Sequence, residues 1–172
     1  ANMSVFISYR RNDYNIALEI HRRLEDAGID TYLDVLDLES QSTDDITSVI
    51  TKNISSSTHL IAILSLQTTL SWWVPFEIGE ATILGRRIAS YNTGLSNPPE
   101  YLSKWPQMNS MSHIDYFINE YKNDRANSLL ESSTVSRESR SSNDTFNKSF
   151  SVIQENAERF HNSLKRKISS RY

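Results

Sequence analysis

The stretch that most limits the fold is "THLIAILS", residues 58–65. It is continuously apolar, too short for a membrane span, and shows no alternation of apolar and polar positions. That pattern belongs to a strand buried on both faces, the situation of a central strand in a parallel sheet. Parallel neighbours must be joined by long crossovers, normally helices, and the flanking sequence supplies them. "SVFIS" (4–8) reads as a first strand. Asp13 then caps a helix with Ile16, Ile20, Leu24 and Ala27 on one face, and Gly28 ends it. "IDTYLD" (29–34) is a second strand, followed by the polar loop "VLDLESQ". Ser42 or Thr43 caps the next helix, with Asp44 and Asp45 in its first turn and Ile46, Val49, Ile50 and Ile54 inward. Pro75 is tolerated only near a first helical turn, so the next helix starts around 71–74. "RRIASYNTG" (86–94) is a fourth strand, with a weak fifth near 107–111. A short helix over 112–123 turns Ile114, Phe117, Ile118 and Tyr121 inward. The alternation predicts an α/β fold: a flavodoxin-like parallel sheet of about five strands, order 2-1-3-4-5, with helices on both faces and an added C-terminal helix.

The remainder of the chain changes character. Residues 124–144 are rich in Ser, Arg and Asn without a period and read as a linker. Beyond them Phe146, Phe150, Ile153, Ala157, Phe160, Leu164 and Ile168 recur at three- and four-residue spacings, close to a heptad seam. They predict an amphipathic helix over 145–168, suited to docking or self-association. The expected organisation is a domain over 4–123, a linker over 124–144 and the helical segment 145–172. That last segment holds six Lys/Arg against two Glu, although the chain as a whole carries −3. An acidic body argues against nucleic acid as a partner. There is no cysteine, hence no disulfide and no thiolate chemistry. The four histidines show no ligand spacing, so no metal site is expected. No run approaches the roughly 18 apolar residues of a membrane span, and no signal-peptide pattern precedes the first strand. A cytoplasmic protein without membrane contact is expected, with Ala1-Asn2 read as a tag remnant.

The topology gathers chemistry-bearing residues at one edge. Strand 1 ends at Tyr9, Arg10 and Arg11, strand 2 at Asp34, and strand 3 at Ser65, leading on to Trp72, Trp73 and Glu77. In a doubly wound sheet these ends open the same crevice. Arginine grips phosphate oxygens, aromatic faces stack on bases, and a carboxylate can oppose positive charge developing on a sugar. The set suits a phosphorylated nucleoside, yet neither a G-x-G-x-x-G nor a P-loop motif is present. The bland alternatives are a solvated arginine pair, a surface glutamate and a turn-capping aspartate.

"VFISYRRND", "TYLDVLDL" and "SWWVPFEIGEA" resemble the box-one strand, BB-loop region and catalytic helix of Toll/interleukin receptor (TIR) domains. The likeness is to the NAD-cleaving branch found in Thoeris anti-phage systems, and it spans about residues 4–123. The resemblance implies that Glu77 is the catalytic glutamate and that Trp73, one turn earlier, shapes the nucleotide site. It implies that Tyr9, Arg10 and Arg11 line the pocket and that Asp34 opens the BB loop; Ser65 joins these substrate-binding candidates from its place at the end of strand 3. It further implies an enzyme with NAD+ as substrate rather than cofactor. Such an enzyme breaks the nicotinamide–ribose bond as an NAD+ glycohydrolase, ADP-ribose cyclase or transferase. It makes a signal nucleotide for a downstream effector and self-associates through TIR surfaces; the apolar seam of the 146–168 helix, outside the resemblance, is a further candidate for self-association. The alternative is a TIR adaptor acting by TIR–TIR contact without catalysis. More remote is an enzyme like a nucleoside deoxyribosyltransferase, which would leave Arg10 and Arg11 without a phosphate.

Overall fold

The computed structural model describes residues 3–35, 43–66, 73–138 and 142–170. Within these, residues 34–35, 43–46, 73–74, 129–138 and 142–150 are described by their backbone alone. The strands are β1 (Val5–Tyr9), β2 (Thr31–Val35), β3 (His59–Leu64), β4 (Arg87–Asn92) and β5 (Gln107–Met108). The helices are α1 (Tyr14–Asp26), α2 (Thr43–Ser56), α3 (Trp73–Ile83), α4 (Met111–Glu138) and α5 (Ser142–Ser169). All pairings are parallel, in the order β2-β1-β3-β4-β5, which is the expected topology.

The pleat divides the core in two. Val5 and Ile7 of β1 and Ile61 and Ile63 of β3 face a cluster built with α1, α4 and α5. Phe6, Leu60 and Leu64 face the other way, onto Ile50, Ile54 and Ile78 of α2 and α3. Because side chains alternate along a strand, each position on β1 and β3 is assigned to a face. Arg11–Asp13 forms a 3₁₀ turn before α1, and the Asp13 side chain makes no capping bond. Gly28, at φ +76°, closes α1 as expected.

The C-terminal third differs from the sequence expectation. Helix α4 does not stop at 123 but runs to Glu138, through most of the segment read as a linker. Helix α5 folds back on the chain's own domain. Phe160 and Leu164 join the α1/α4 core, and Phe160 stacks edge-on against Phe117, with centroids 5.5 Å apart. Ile153 of the expected seam is exposed, and the side chains of Phe146 and Phe150 lie outside the described residues. His161 has a specific task. The β5 strand pairs only with Ser90 and Tyr91, so the edge of β4 continues past it. His161 Nε2 accepts the Ile88 N–H at 2.8 Å and so covers a backbone donor on an open edge. Burial holds the imidazole neutral, with its pKa down to about 3, as an acceptor nitrogen requires.

Gly85 ends α3 at φ +67°, and a side-chain carbon there would collide with the Ile153 side chain of α5. Both facts require glycine. Gly85→Ala is expected to lose at least about 1–2 kcal/mol for the left-handed backbone alone. It should also loosen the N-terminal half of α5, read as faster proteolysis there than in the parent chain.

Candidate active site

Glu77 lies in α3, and the sequence positions α3 firmly. The Thr51 hydroxyl of α2 donates to the Glu80 carboxylate, at 2.9 Å to Oε1. Arg86, just past the helix, donates from Nε to the Ile54 carbonyl at 2.9 Å and from Nη2 to the Ser55 carbonyl at 3.1 Å. Pro75 sits in the first turn of α3, where its missing N–H leaves no gap in the helix ladder. Helix α3 is thereby tied to α2 and to the start of β4.

The Glu77 side chain is completely buried, against the bland expectation of a surface helix glutamate. Among the described residues no donor is aligned to hydrogen-bond either carboxylate oxygen. The Ser8 hydroxyl is close enough to favour the ionised form in part. Ser8 points to this side of the sheet because its neighbours Ile7 and Tyr9 belong to the opposite cluster. Burial dominates and pushes the Glu77 carboxyl up to about 8, so it is mostly protonated at neutral pH. Among the described residues no guanidinium lowers it.

The remaining expected residues divide. Tyr9 is buried in the α1-side cluster, its ring 6.3 Å from that of Tyr14. The structure does not bring it to Glu77, because β1 is buried on both faces and the pleat decides the direction. Arg10 continues the extended backbone, at φ −96° and ψ 157°, so it shares the Ser8 side. Arg11 is exposed at the start of the 3₁₀ turn. Ser65 follows β3 directly and is half-buried. Asp34 pairs in register with Ser8, and Trp73 opens α3, but both of their side chains lie outside the described residues. Trp72 and the loop 36–42 are also outside them.

One neighbour went unforeseen. Tyr101 sits in a 3₁₀ turn, Glu100–Lys104, and its hydroxyl is pushed up by burial and by the Glu77 charge. The residue is 44% exposed and close enough to Glu77 to feel its charge. The loop after β4 at the carboxyl edge of a parallel sheet was the available signal. A buried carboxyl with a raised pKa, one serine hydroxyl and a tyrosine within range of its charge can hold a cationic or hydroxyl-bearing group. It can also take up or release a proton near neutral pH. Among the described residues no group of His, Asp and Glu is placed to hold a metal ion, and no helix is long and apolar enough to cross a membrane.

A family model described as the TIR domain matches residues 5–130. No protein of curated function matches. Among solved structures, the TIR domain of a Toll-related receptor from Hydra magnipapillata aligns with TM-score 0.49 at 17% identity, covering 63% of this chain and 84% of its own. A diflavin flavoprotein from Nostoc sp. aligns with TM-score 0.44 at 14% identity, covering 96% of each chain. A flavodoxin-like domain from Synechococcus sp. aligns with TM-score 0.41 at 12% identity, covering 96% of this chain and 99% of its own.

Proposed function

The chain belongs to the TIR domain family, and from that premise we propose that it cleaves NAD+ with Glu77 as the catalytic carboxylate. The observation that carries this reading is the complete burial of Glu77 at the carboxyl edge of the sheet. A buried carboxyl without an aligned partner weakens the fold, and such groups collect where chemistry needs them.

The chemistry asks little more. The C1′–N1 bond breaks with its electron pair going to nicotinamide, which leaves neutral. The ribose is left with oxocarbenium character. Ionised Glu77 accepts hydrogen bonds from the ribose hydroxyls and opposes that charge. The cationic nicotinamide itself favours ionisation of Glu77 on binding. An acceptor lone pair then closes on C1′. Water gives ADP-ribose and a proton, the adenine of the same molecule gives a cyclic product, and another nucleophile gives transfer. Arg10 is the guanidinium on the Ser8 side and would take a phosphate oxygen, with Trp73 and Asp34 completing the nucleotide contacts. In this reading the product is a signal nucleotide read by a separate effector. The setting implied by the resemblance is bacterial anti-phage defence.

The test is incubation of concentrated protein with NAD+, followed by chromatography and mass spectrometry. Nicotinamide release is expected, with the mass of the second product separating hydrolysis, cyclisation and transfer. Since the ionised carboxylate is the working form, kcat/KM should climb with pH through an apparent value near 8. A flat profile from pH 6 to 9 would contradict the role of Glu77.

A second reading has its own observation. Ile83 is 74% exposed, and beside it the half-exposed Leu84 leads into Gly85, which packs under Ile153 of α5. An apolar patch of this kind suits a TIR adaptor that acts through other copies. Absence of turnover across all protein concentrations, together with concentration-dependent assembly, would favour it.

A further inference from the structure

The two edges of the sheet are finished differently. At the β5 side the outermost strand is only two residues long, and His161 covers the Ile88 N–H of β4 beyond it. Both are devices that keep an edge from pairing with another chain. The β2 side has neither. Thr31–Val35 pairs with β1 over five consecutive residues, without a bulge, and holds no proline or lysine. Among the described residues no strand lies beyond it.

The backbone of this edge can be assigned residue by residue. The Val5 N–H donates to the Asp30 carbonyl at 2.9 Å. Along a strand the N–H and C=O of one residue point to the same side, and the side alternates. Asp30, Tyr32 and Asp34 therefore address β1, and Thr31, Leu33 and Val35 direct their N–H and C=O groups outward. Leu33 packs on the α1-side core, and the Thr31 hydroxyl meets His21 Nδ1 of α1 at 2.5 Å. Side chains thus hold the strand in place, while its outer backbone has no strand partner among the described residues.

We propose that the β2 edge pairs antiparallel with the β2 edge of a second copy of this chain, joining two five-stranded sheets into one. Identical edges related by a two-fold axis are self-complementary only in the antiparallel arrangement. One register satisfies it fully. With Leu33 opposite Leu33 of the second copy, Thr31 stands opposite Val35, and all three outward residues of each strand fall in hydrogen-bonded pairs. The charges agree with that register. It sets Asp34 opposite Tyr32, whereas centring the pair on Tyr32 sets Asp30 against Asp34, and centring it on Asp34 sets that residue against itself. Like charges directly opposite are destabilising. Tyr32 is 49% exposed, a ring that cross-strand packing covers in part. The pairing does not depend on NAD+ cleavage, and it uses a surface apart from the Ile83 patch.

The experiment is sedimentation equilibrium of the full chain from micromolar to millimolar concentration, in the parent, Tyr32→Glu, Tyr32→Lys and Ile83→Asp, with amide hydrogen exchange followed by NMR at both ends of that range. A single strand pair is a small interface, so the parent is expected to shift with concentration from the 19.8 kDa chain to twice that mass. Tyr32→Glu places a carboxylate opposite Asp34 on both sides of the two-fold axis and should weaken dimerisation at least about tenfold. Tyr32→Lys places an ammonium there and should keep the dimer, and Ile83→Asp should leave it unchanged. Amides of Thr31, Leu33 and Val35 should exchange fast at low concentration and slowly in the dimer, those of Tyr32 and Asp34 slowly in both. A monomer at every concentration, equal association of Tyr32→Glu and Tyr32→Lys, loss of the dimer in Ile83→Asp, or outward amides already slow in the monomer would each overturn the proposal.

Discussion

Glu77→Gln is expected to abolish the proposed nicotinamide release from NAD+, by at least about 10³-fold as for loss of a central transition-state charge contact, and to make the folded protein more stable at alkaline pH. The two effects have one cause. The folded carboxyl titrates at about 8 against an ordinary value of 4.5. Between those values the folded state binds a proton that the unfolded state has released. Stability therefore falls as pH rises through this window, and the loss is complete above about pH 8. Its full size is on the order of 3–5 kcal/mol. Glutamine does not ionise, so the variant lacks this decline. Melting temperature measured from pH 5 to 9 should fall for the parent relative to Glu77→Gln. Parallel curves would mean that Glu77 is solvated, and retained NAD+ cleavage would remove it from the chemistry.

Asp124→Ala is expected to produce the largest loss of stability in the chain. Asp124 faces a buried guanidinium and a fully buried imidazole, Arg87 and His59. Deleting it strands the Arg87 charge in the core between β4 and α4. Breaking such a pair from one side destabilises by about 3–5 kcal/mol, which in a chain of this length is a fall of about 10 °C in Tm. The pair also holds the ionised form of Asp124 below its usual range. The stability it supplies is present above the ordinary aspartate range and is lost as pH falls through the depressed value. The discriminating variant is Arg87→Met/Asp124→Ala. Removing both charges should recover much of the loss, and a double variant no better than Asp124→Ala would mean that packing, not charge, holds this corner.

Asp124 also shows where the chain was hardest to read. From 124 onward the composition is that of a linker, with Ser, Asn and Arg in place of an apolar stripe. Such residues form a helix poorly in isolation. Tertiary contacts supply what propensity lacks. Asp124 clamps Arg87 and His59, Glu120 meets Ser163 and Lys167, and Phe160 packs on Phe117. Helix α5 returns along α4 and makes the latter contacts with the first half of α4. The 145–168 periodicity was legible, but whether its apolar side served this chain or another copy was not. Periodicity specifies a face and says nothing about what covers it.

At the strand ends the division is similar. The position of Glu77 at the carboxyl edge followed from the alternation of strands and helices and from the TIR-like motif. Which β1 residues accompany it did not. Tyr9 alternates with Ser8, and a strand buried on both faces gives no compositional sign of which face is which.

The sequence by itself determined the parallel sheet, its strand order and the gathering of candidate groups at one edge. These rest on periods of 2 and 3.6 residues and on turn chemistry, all local properties of the chain. Only the tertiary structure decided that burial raises the Glu77 carboxyl, that Tyr101 lies within range of its charge, and that Arg87 and His59 share one aspartate. Charge state and polar partnership depend on what fills the space around a group. That space is walled by residues distant in the chain, so the local pattern holds no record of it.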